Sequence, residues 1–297
     1  MTPAEKQFLA RNKLPDSYLL SAEKWFSVLV EEYKTPRDQP LIVGINGSQG
    51  SGKSTLADYL CSMLSERHNM RCVSLSLDDF YLTKAQRQQL ASEVHPLLQT
   101  RGVPGTHDIP LALSTIQSLI DGSATTVIPR FDKSCDDRLP LTQCDRISGM
   151  VDIIILEGWC VGARPQSADQ LLEPINSLEA ECDAEGIWRS SVNQALAGEY
   201  QALFSLLDQL IMLQAPSFET VFNWRLEQEQ KMIARLAEGE IEQRGGIMSA
   251  AQISDFIAHY QRITEHSLRE MPQRADHLYR LNSQRQIEDY SRRAVTV

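Results

Sequence analysis

Short aliphatic runs alternate with longer amphipathic stretches over most of the chain. The short runs are typical of strands buried on both faces of a sheet, and apolar positions in the longer stretches have helical spacing. The runs predict strands at Leu41–Ile45, Cys72–Leu77, Thr125–Ile128, Val151–Leu156, Gln209–Leu213 and Asp276–Leu281. The stretches predict helices at Lys53–His68, Lys84–Glu93, Ile109–Ile120, Ser191–Leu207, Phe218–Glu242 and Ile253–Arg269. This alternation predicts an α/β fold with a mostly parallel sheet sandwiched by helices.

Three segments add to the alternating pattern. Residues 1–38 are predicted to form an N-terminal helical extension, since their apolar positions recur at helical spacing up to Tyr33. Residues 158–208 form a helical insert that is too short to be an independent domain. Residues 217–248 are rich in charge and are predicted to form a lid. We therefore expect a single domain over residues 1–297.

The composition narrows the class of protein. The 39 Asp and Glu residues outnumber the 29 Lys and Arg residues, and the net charge of −10 disfavours nucleic-acid binding, which depends on basic residues. The longest aliphatic run, near Val151–Leu156, is far shorter than a membrane span. The six cysteines have no close-paired spacing, which favours reduced thiols over disulfides or a zinc site. With an amphipathic N-terminus that is unlike a signal peptide, we expect a cytoplasmic protein whose oligomeric state stays open.

A glycine-rich turn joins the first predicted strand to the next helix and matches the pattern G-x-x-x-x-G-K-[ST]. Glycines allow backbone N–H groups to point at phosphate oxygens, and the helix N-terminus adds its positive dipole. We expect Lys53 to reach the β- and γ-phosphates of a nucleotide and Ser54 to bind Mg²⁺. The residues predicted to bind the nucleotide are Gly47, Ser48, Gln49, Gly50, Ser51, Gly52, Lys53, Ser54 and Thr55.

Acidic residues directly follow two of the predicted strands. Asp78 and Asp79 come after one strand, and Glu157 comes after another. Because ligands bind at the carboxyl ends of parallel strands, these carboxylates are expected near the phosphates. Consecutive residues at a strand end point in opposite directions, so we expect only one of the two aspartates to face the crevice. That aspartate would accept or position a substrate hydroxyl, and Glu157 would hold Mg²⁺.

The phosphate-binding turn alone is shared by several classes of nucleotide-binding protein. The guanine-selecting sequence N-K-x-D and the transporter sequence L-S-G-G-Q are both absent. Their absence, together with the carboxylates, favours an ATP-dependent kinase. A switch that hydrolyses ATP without an acceptor is the alternative.

Two loops lie between the second strand and the Glu157 strand: residues 101–108, which contain glycine and proline, and residues 130–138, which lie between Pro129 and Pro140. They combine cationic or basic side chains with carboxylates, a mixture that suits a small hydroxy acid as phosphoryl acceptor. Pantothenate fits this description too, whereas uridine does not require the cations. The predicted acceptor residues in these loops are Arg101, His107, Asp108, Asp132, Lys133 and Arg138.

Several segments resemble known kinases. Residues 75–81 resemble the D-x-F-Y segment of the uridine kinase, pantothenate kinase and phosphoribulokinase group. Residues 101–108, 129–138 and 155–159 resemble the D-glycerate 3-kinase branch of that group, and residues 224–229 are similar to its W-R-x-x-Q-E helix. The resemblance runs from about Leu41 to Arg285 and implies a P-loop fold, ATP and Mg²⁺ as cofactors, and D-glycerate as the acceptor.

The resemblance also implies roles for individual residues. Asp78 aligns with the aspartate that serves as base, and Asp79 ranks second because relatives often carry Ser or Gly at its position. Asp79 and Tyr81 are also predicted acceptor residues. Arg225, in the W-R-x-x-Q-E helix, would supply positive charge to the transferring group. Another acceptor, such as pantothenate or a uridine-like nucleoside, remains the alternative.

Overall fold

The computed structural model describes residues 1–237 and 249–293. Part of the predicted lid, residues 238–248, lies outside the described residues. The strands are β1 (Leu41–Gly47), β2 (Cys72–Ser76), β3 (Thr126–Ile128), β4 (Phe131–Asp132), β5 (Asp137–Arg138), β6 (Asp145–Ile147), β7 (Ile153–Gly158), β8 (Gln209–Gln214), β9 (His277–Leu281) and β10 (Ile287–Arg292). The helices are α1 (Pro3–Asn12), α2 (Ser17–Tyr33), α3 (Lys53–His68), α4 (Lys84–Glu93), α5 (Ile109–Ile120), α6 (Ser177–Cys182), α7 (Ile187–Ala197), α8 (Glu199–Phe204), α9 (Phe218–Ala237) and α10 (Ala250–Glu270).

Six strands form the central sheet in the order β10-β9-β8-β1-β7-β2. All neighbours from β9 to β2 are parallel, and β10 pairs antiparallel with β9. The predicted α/β fold with a mostly parallel sheet is confirmed. No helix within the described ranges is both long and apolar enough to cross a membrane.

Alternate residues of the central strands enter two separate cores. On β7, Ile153 and Ile155 pack with the apolar side chains of α2 and α3, whereas Ile154 and Leu156 pack on the other face with those of α5 and α8. Both faces are covered by helices, which explains why these strands are aliphatic throughout.

The structure refines one predicted segment and differs from the prediction at two others. The helical extension predicted up to Tyr33 consists of two helices, because Lys13 adopts a left-handed φ of 54° and Pro15 follows it. The helix predicted at residues 191–207 is divided at Gly198 into α7 and α8. The strand predicted at residues 125–128 exists as β3, but it pairs with β6 outside the central sheet.

A buried ion pair ties the insert to α10. The Arg262 guanidinium donates to both carboxylate oxygens of Glu179 at 2.7 and 2.5 Å, and it also donates to the carbonyl oxygens of Gln170 and Glu173. Both charged side chains are buried. The four hydrogen bonds that this buried cation donates attach α6 and its flanking loop firmly to α10.

The strand register sets the level of the functional residues at the rim. Glu157 on β7 pairs with Ile45 on one side and with Ser76 on the other. Gly47 comes two residues after Ile45, and Asp78 comes two residues after Ser76. Gly47 and Asp78 therefore lie at the same height along the sheet, on either side of β7. Because β7 lies between them, β1 and β2 are two strand spacings, or about 10 Å, apart. A phosphoryl group and a small acceptor can bridge that distance at the strand ends.

Candidate active site

Two glycines shape the turn between β1 and α3. Gly50 and Gly52 have φ angles of +79° and +93°, a left-handed conformation that residues with a Cβ rarely adopt. A Cβ at Gly50 would also lie only 3.2 Å from the Cβ of Trp224. Because α3 begins at Lys53, directly after the turn, its free N–H groups and positive dipole face the space above the turn. This geometry suits an anion.

Several polar side-chain atoms of the turn make no hydrogen bond within the described part of the chain. Ser48 Oγ, Gln49 Oε1 and Ser51 Oγ are buried with no hydrogen-bond partner among the described residues. Buried polar atoms are satisfied in most proteins, so this cluster indicates a place for a polar ligand. The structure brings the predicted nucleotide residues together in the turn and the first turn of α3: Gly47, Ser48, Gln49, Gly50, Ser51, Gly52, Lys53, Ser54 and Thr55.

Glu157, at the end of β7, lies beside the start of α3. Ser54 Oγ donates a hydrogen bond of 2.8 Å to Glu157 Oε1, and Lys53 Nζ lies 4.0 Å from Oε2. Glu157 is buried, and its Oε2 has no hydrogen-bond partner among the described residues. Hydroxyl and carboxylate oxygens are hard ligands of the kind that Mg²⁺ prefers, so the two residues predicted to hold the metal fit it.

Asp78 lies in the turn after β2 and accepts two hydrogen bonds. Tyr81 Oη donates to Oδ1 at 2.8 Å, and Lys133 Nζ donates to Oδ2 at 2.7 Å. Burial alone would raise the pKa of this carboxyl, but the charge and hydrogen bond of Lys133, with the charge of Lys53 and the bond from Tyr81, lower the pKa to about 2. Asp78 is therefore a carboxylate at neutral pH, within electrostatic reach of Lys53.

Asp79 faces a different set of partners, in agreement with the expectation that the two neighbours diverge. It accepts hydrogen bonds from the Arg130 guanidinium at 2.6 Å and from the Phe131 N–H at 3.1 Å. Burial raises the pKa of Asp79 despite these bonds. In the structure this carboxylate holds the start of the loop at residues 130–138.

Ion pairs engage the other predicted cations of the acceptor loops. Arg101 pairs with Asp136, which also binds the buried Arg87 at 3.0 Å. Arg138 pairs with Asp108 at 2.9 Å. Arg101 and Arg138 thus have partners within the chain, and their contact with an acceptor stays a prediction.

The two remaining carboxylates of these loops have structural contacts. Asp108 caps the N-terminus of α5 by accepting the N–H of Leu111 at 3.0 Å. Asp132 accepts the N–H and Oγ–H of Ser134 at 2.8 and 2.6 Å, so it closes the turn between β4 and β5. The contact of Asp132 with an acceptor stays a prediction.

Tyr81 and His107 stack face to face beside Asp78. Their ring centroids lie 4.4 Å apart at an interplanar angle of 27°. His107 is fully buried, and burial lowers its pKa to about 4, with the Asp78 charge opposing the shift. The histidine is therefore neutral at physiological pH.

The W-R-x-x-Q-E segment on α9 packs against the phosphate-binding turn. Trp224 and Gln228 approach Gly50, the latter with its Nε2 at 3.3 Å from the Cβ position. One position along, Arg225 and Glu229 form an ion pair at 2.9 Å. The motif is explained by two i, i+4 pairs, one that contacts the turn and one that fixes Arg225.

Some residues near the site carry no sequence prediction of their own. Arg130 lies inside the 129–138 segment, so its motif was a usable signal. Tyr200 belongs to the insert, and its hydroxyl lies 2.6 Å from His107 Nδ1, although the two residues are 93 positions apart in the sequence. No local pattern could have indicated that contact.

The site defines the class: the protein is a P-loop kinase. It has an apolar strand, a glycine-rich turn and a helix, with a Ser–Glu pair beside the turn and a carboxylate two strands away.

No family model matches the chain. It is 37% identical over 241 residues to the uncharacterized kinase mug58 of Schizosaccharomyces pombe, an alignment covering 78% of this chain and 82% of that protein. The chain belongs to the D-glycerate 3-kinase-like family of P-loop kinases.

Two further relatives carry a more specific name. The chloroplastic D-glycerate 3-kinase of Arabidopsis thaliana is 30% identical over 232 residues, which cover 74% of this chain and 46% of that protein. This chain therefore matches about half the length of the plant protein. The solved structure of D-glycerate 3-kinase from Cryptococcus neoformans has a TM-score of 0.71 at 27% identity, and the match covers 90% of this chain and 97% of that one. The resemblance read from the motifs is confirmed.

Proposed function

We propose that the protein transfers the γ-phosphoryl group of ATP to the 3-hydroxyl of D-glycerate, forming 3-phosphoglycerate and ADP. One observation carries the proposal: Asp78, a carboxylate on the rim beside the phosphate-binding turn, lies 2.7 Å from Lys133, whose side chain is 60% exposed. The carboxylate suits the acceptor hydroxyl, and the cation suits the acceptor carboxylate. The names of the relatives support the same acceptor.

The nucleotide would lie on the turn between β1 and α3. The backbone N–H groups of the turn and Lys53 would hold its phosphates, and Ser54 and Glu157 would hold Mg²⁺. When bound, Mg²⁺ neutralises charge on the phosphoryl oxygens. Arg225, fixed by Glu229, would add positive charge from α9.

Asp78 would accept the proton of the 3-hydroxyl as that oxygen bonds to phosphorus. An acceptor carboxylate would compete with Asp78 for Lys133. If Lys133 bound the acceptor, it would lower the pKa of Asp78 less strongly. The pKa-raising effect of burial would then prevail, and Asp78 would become a stronger base. A neutral acceptor could not bring about this change.

The test is an ADP-release assay, with ATP and Mg²⁺, over D-glycerate, pantothenate, uridine and ribulose 5-phosphate. We expect D-glycerate to give the highest kcat/KM and a product mass of 3-phosphoglycerate. Lys53→Ala is the inactive control. Turnover of pantothenate or uridine with D-glycerate inert would contradict the acceptor but leave the kinase assignment. ADP release that no acceptor stimulates would instead favour a switch.

The cellular setting follows from the thiols. The cysteines Cys61, Cys72, Cys135, Cys144, Cys160 and Cys182 are all free. Free thiols suit a reducing compartment, so we place the kinase in the cytoplasm, acting on a small-molecule acceptor.

A further inference from the structure

His107 is a buried histidine with one ring nitrogen left unpaired. Its side chain is only 2% exposed, and Nε2 has no hydrogen-bond partner among the described residues. Backbone hydrogen bonds from Leu82 N to Thr106 O and from Asp108 N to Phe80 O join its loop to the turn that carries Asp78. His107 is therefore held at a fixed distance from the proposed base.

The position of the proton on His107 follows from Tyr200. The Gly105 N–H donates to Tyr200 Oη at 3.1 Å, and Tyr200 Oη lies 2.6 Å from His107 Nδ1. If Nδ1 carried the proton, the tyrosine oxygen would accept two hydrogen bonds and its own buried hydrogen would have no acceptor. If Nδ1 accepts, every group of this chain of bonds is satisfied. The neutral ring then carries its proton on Nε2.

The ring therefore presents a buried N–H donor at Nε2. The two nitrogens of an imidazole diverge, so Nε2–H points away from Tyr200. One face of the ring lies on Tyr81, which is itself hydrogen-bonded to Asp78. A buried N–H group that makes no hydrogen bond costs stability, which indicates that a ligand oxygen accepts the hydrogen bond of this one.

We propose that the Nε2–H of His107 donates a hydrogen bond to the 2-hydroxyl oxygen of the acceptor, and that Tyr200 is a positioning residue that keeps the proton on Nε2. The inference rests on the proposed function. Of the oxygens of glycerate, the 3-hydroxyl belongs to Asp78 and the carboxylate to the cation Lys133. The 2-hydroxyl is the oxygen that remains, and a neutral donor matches a neutral hydroxyl.

The test compares D-glycerate with 3-hydroxypropanoate, which has the same carboxylate and reacting hydroxyl but no 2-hydroxyl. The wild-type protein should favour D-glycerate by at least about tenfold in kcat/KM, because the analogue leaves the N–H of His107 unpaired. His107→Asn keeps an acceptor for Tyr200 but lacks the Nε2 donor, so the preference should fall to about one. His107→Gln places an amide N–H near the Nε2 position and should retain part of the preference.

Two further variants complete the design. Tyr200→Phe should reduce the preference, since the proton of His107 is no longer held on Nε2, while the KM for ATP stays unchanged. His68→Asn, at the far end of α3, is the matched control and should leave the preference intact. Thermal unfolding of each variant separates a loss of the hydrogen bond from a loss of the fold.

The outcomes separate the inference from the function on which it rests. An unchanged preference in His107→Asn would overturn the role of His107, and a wild-type preference in Tyr200→Phe would overturn the role of Tyr200. Inactivity of the wild-type protein toward D-glycerate would overturn the proposed function and this inference together.

Discussion

Removal of the charge should affect turnover strongly at Asp78 and only weakly at Asp79, the two neighbouring aspartates after β2. Asp78→Asn keeps an amide oxygen that can accept from Tyr81 or Lys133, so the turn should stay folded. What it loses is the charge and the basic oxygen that would accept the hydroxyl proton. Asp79→Asn likewise keeps an acceptor for the Phe131 N–H, and Arg130 retains its second partner, Asp145, at 2.6 Å.

The structure sets the size of each effect. Removal of a general base usually costs about 10²- to 10⁴-fold in rate, so we expect kcat of Asp78→Asn to fall by at least 100-fold. Its pKa of about 2, against 3.8 for a free aspartate, corresponds to a preference of about 2.5 kcal/mol for the charged form. Lys133 is largely exposed and solvent screens the pair, so about 1 kcal/mol of stability should be lost. Burial raises the pKa of Asp79, which means that its charge is already disfavoured, and its loss should change stability by less than about 1 kcal/mol.

The assay combines ADP release at saturating ATP and D-glycerate with nucleotide binding and thermal unfolding. Asp78→Asn should bind ATP like the wild-type protein, unfold about 2 °C lower and turn over at least 100-fold more slowly. Asp79→Asn should keep kcat within about threefold, since only contacts of the 130–138 loop change. The reverse pattern, with Asp79→Asn inactive and Asp78→Asn active, would refute the assignment of the base.

Three more predictions follow from other contacts. Glu157→Gln should raise the Mg²⁺ concentration for half-maximal velocity by at least about tenfold, which a magnesium titration at fixed ATP measures. The pKa of His107 is about 4 in the folded protein and 6.5 in the unfolded chain. The unfolded chain therefore binds the extra proton, and stability falls as the pH drops from 6.5 to 4. Urea unfolding at pH 7 and pH 5 should show a smaller loss of stability for His107→Asn than for the wild-type protein. Arg262→Met leaves Glu179 buried without its cation and should cost about 3–5 kcal/mol, and adding Glu179→Gln should restore part of that loss, as unfolding of both variants would show.

Local sequence patterns were sufficient for the elements that carry the site. The β1 strand, the turn and α3 are contiguous, and Glu157 and Asp78 follow their strands directly, so the strand-end argument placed them on one rim. The strand at residues 125–128 shows where local patterns stop. Its sequence favours a strand, but pairing with β6 outside the central sheet depends on partners that lie far along the chain.

The acceptor side was harder to predict for the same physical reason. Charged residues in loops were recognised, but which charge meets which depends on the path of the chain. Arg101 contacts Asp136, which is 35 positions away in the sequence, and His107 contacts Tyr200, which is 93 positions away. Such contacts are set by tertiary packing, which leaves no period or spacing in the sequence.

The 130–138 loop is joined to the rest of the molecule mainly by ion pairs: Arg130 with Asp79, Lys133 with Asp78, Arg138 with Asp108, and Asp136 with Arg87 and Arg101. The phosphate-binding turn, in contrast, is held by the strand β1, by α3 and by the buried side chain of Trp224, whose Cβ approaches Gly50. Mobile ions weaken partly exposed charge pairs and leave apolar packing nearly unchanged. We therefore expect the two sides of the candidate site to differ in their sensitivity to ionic strength, with the 130–138 loop, the proposed acceptor side, responding to salt more than the turn between β1 and α3.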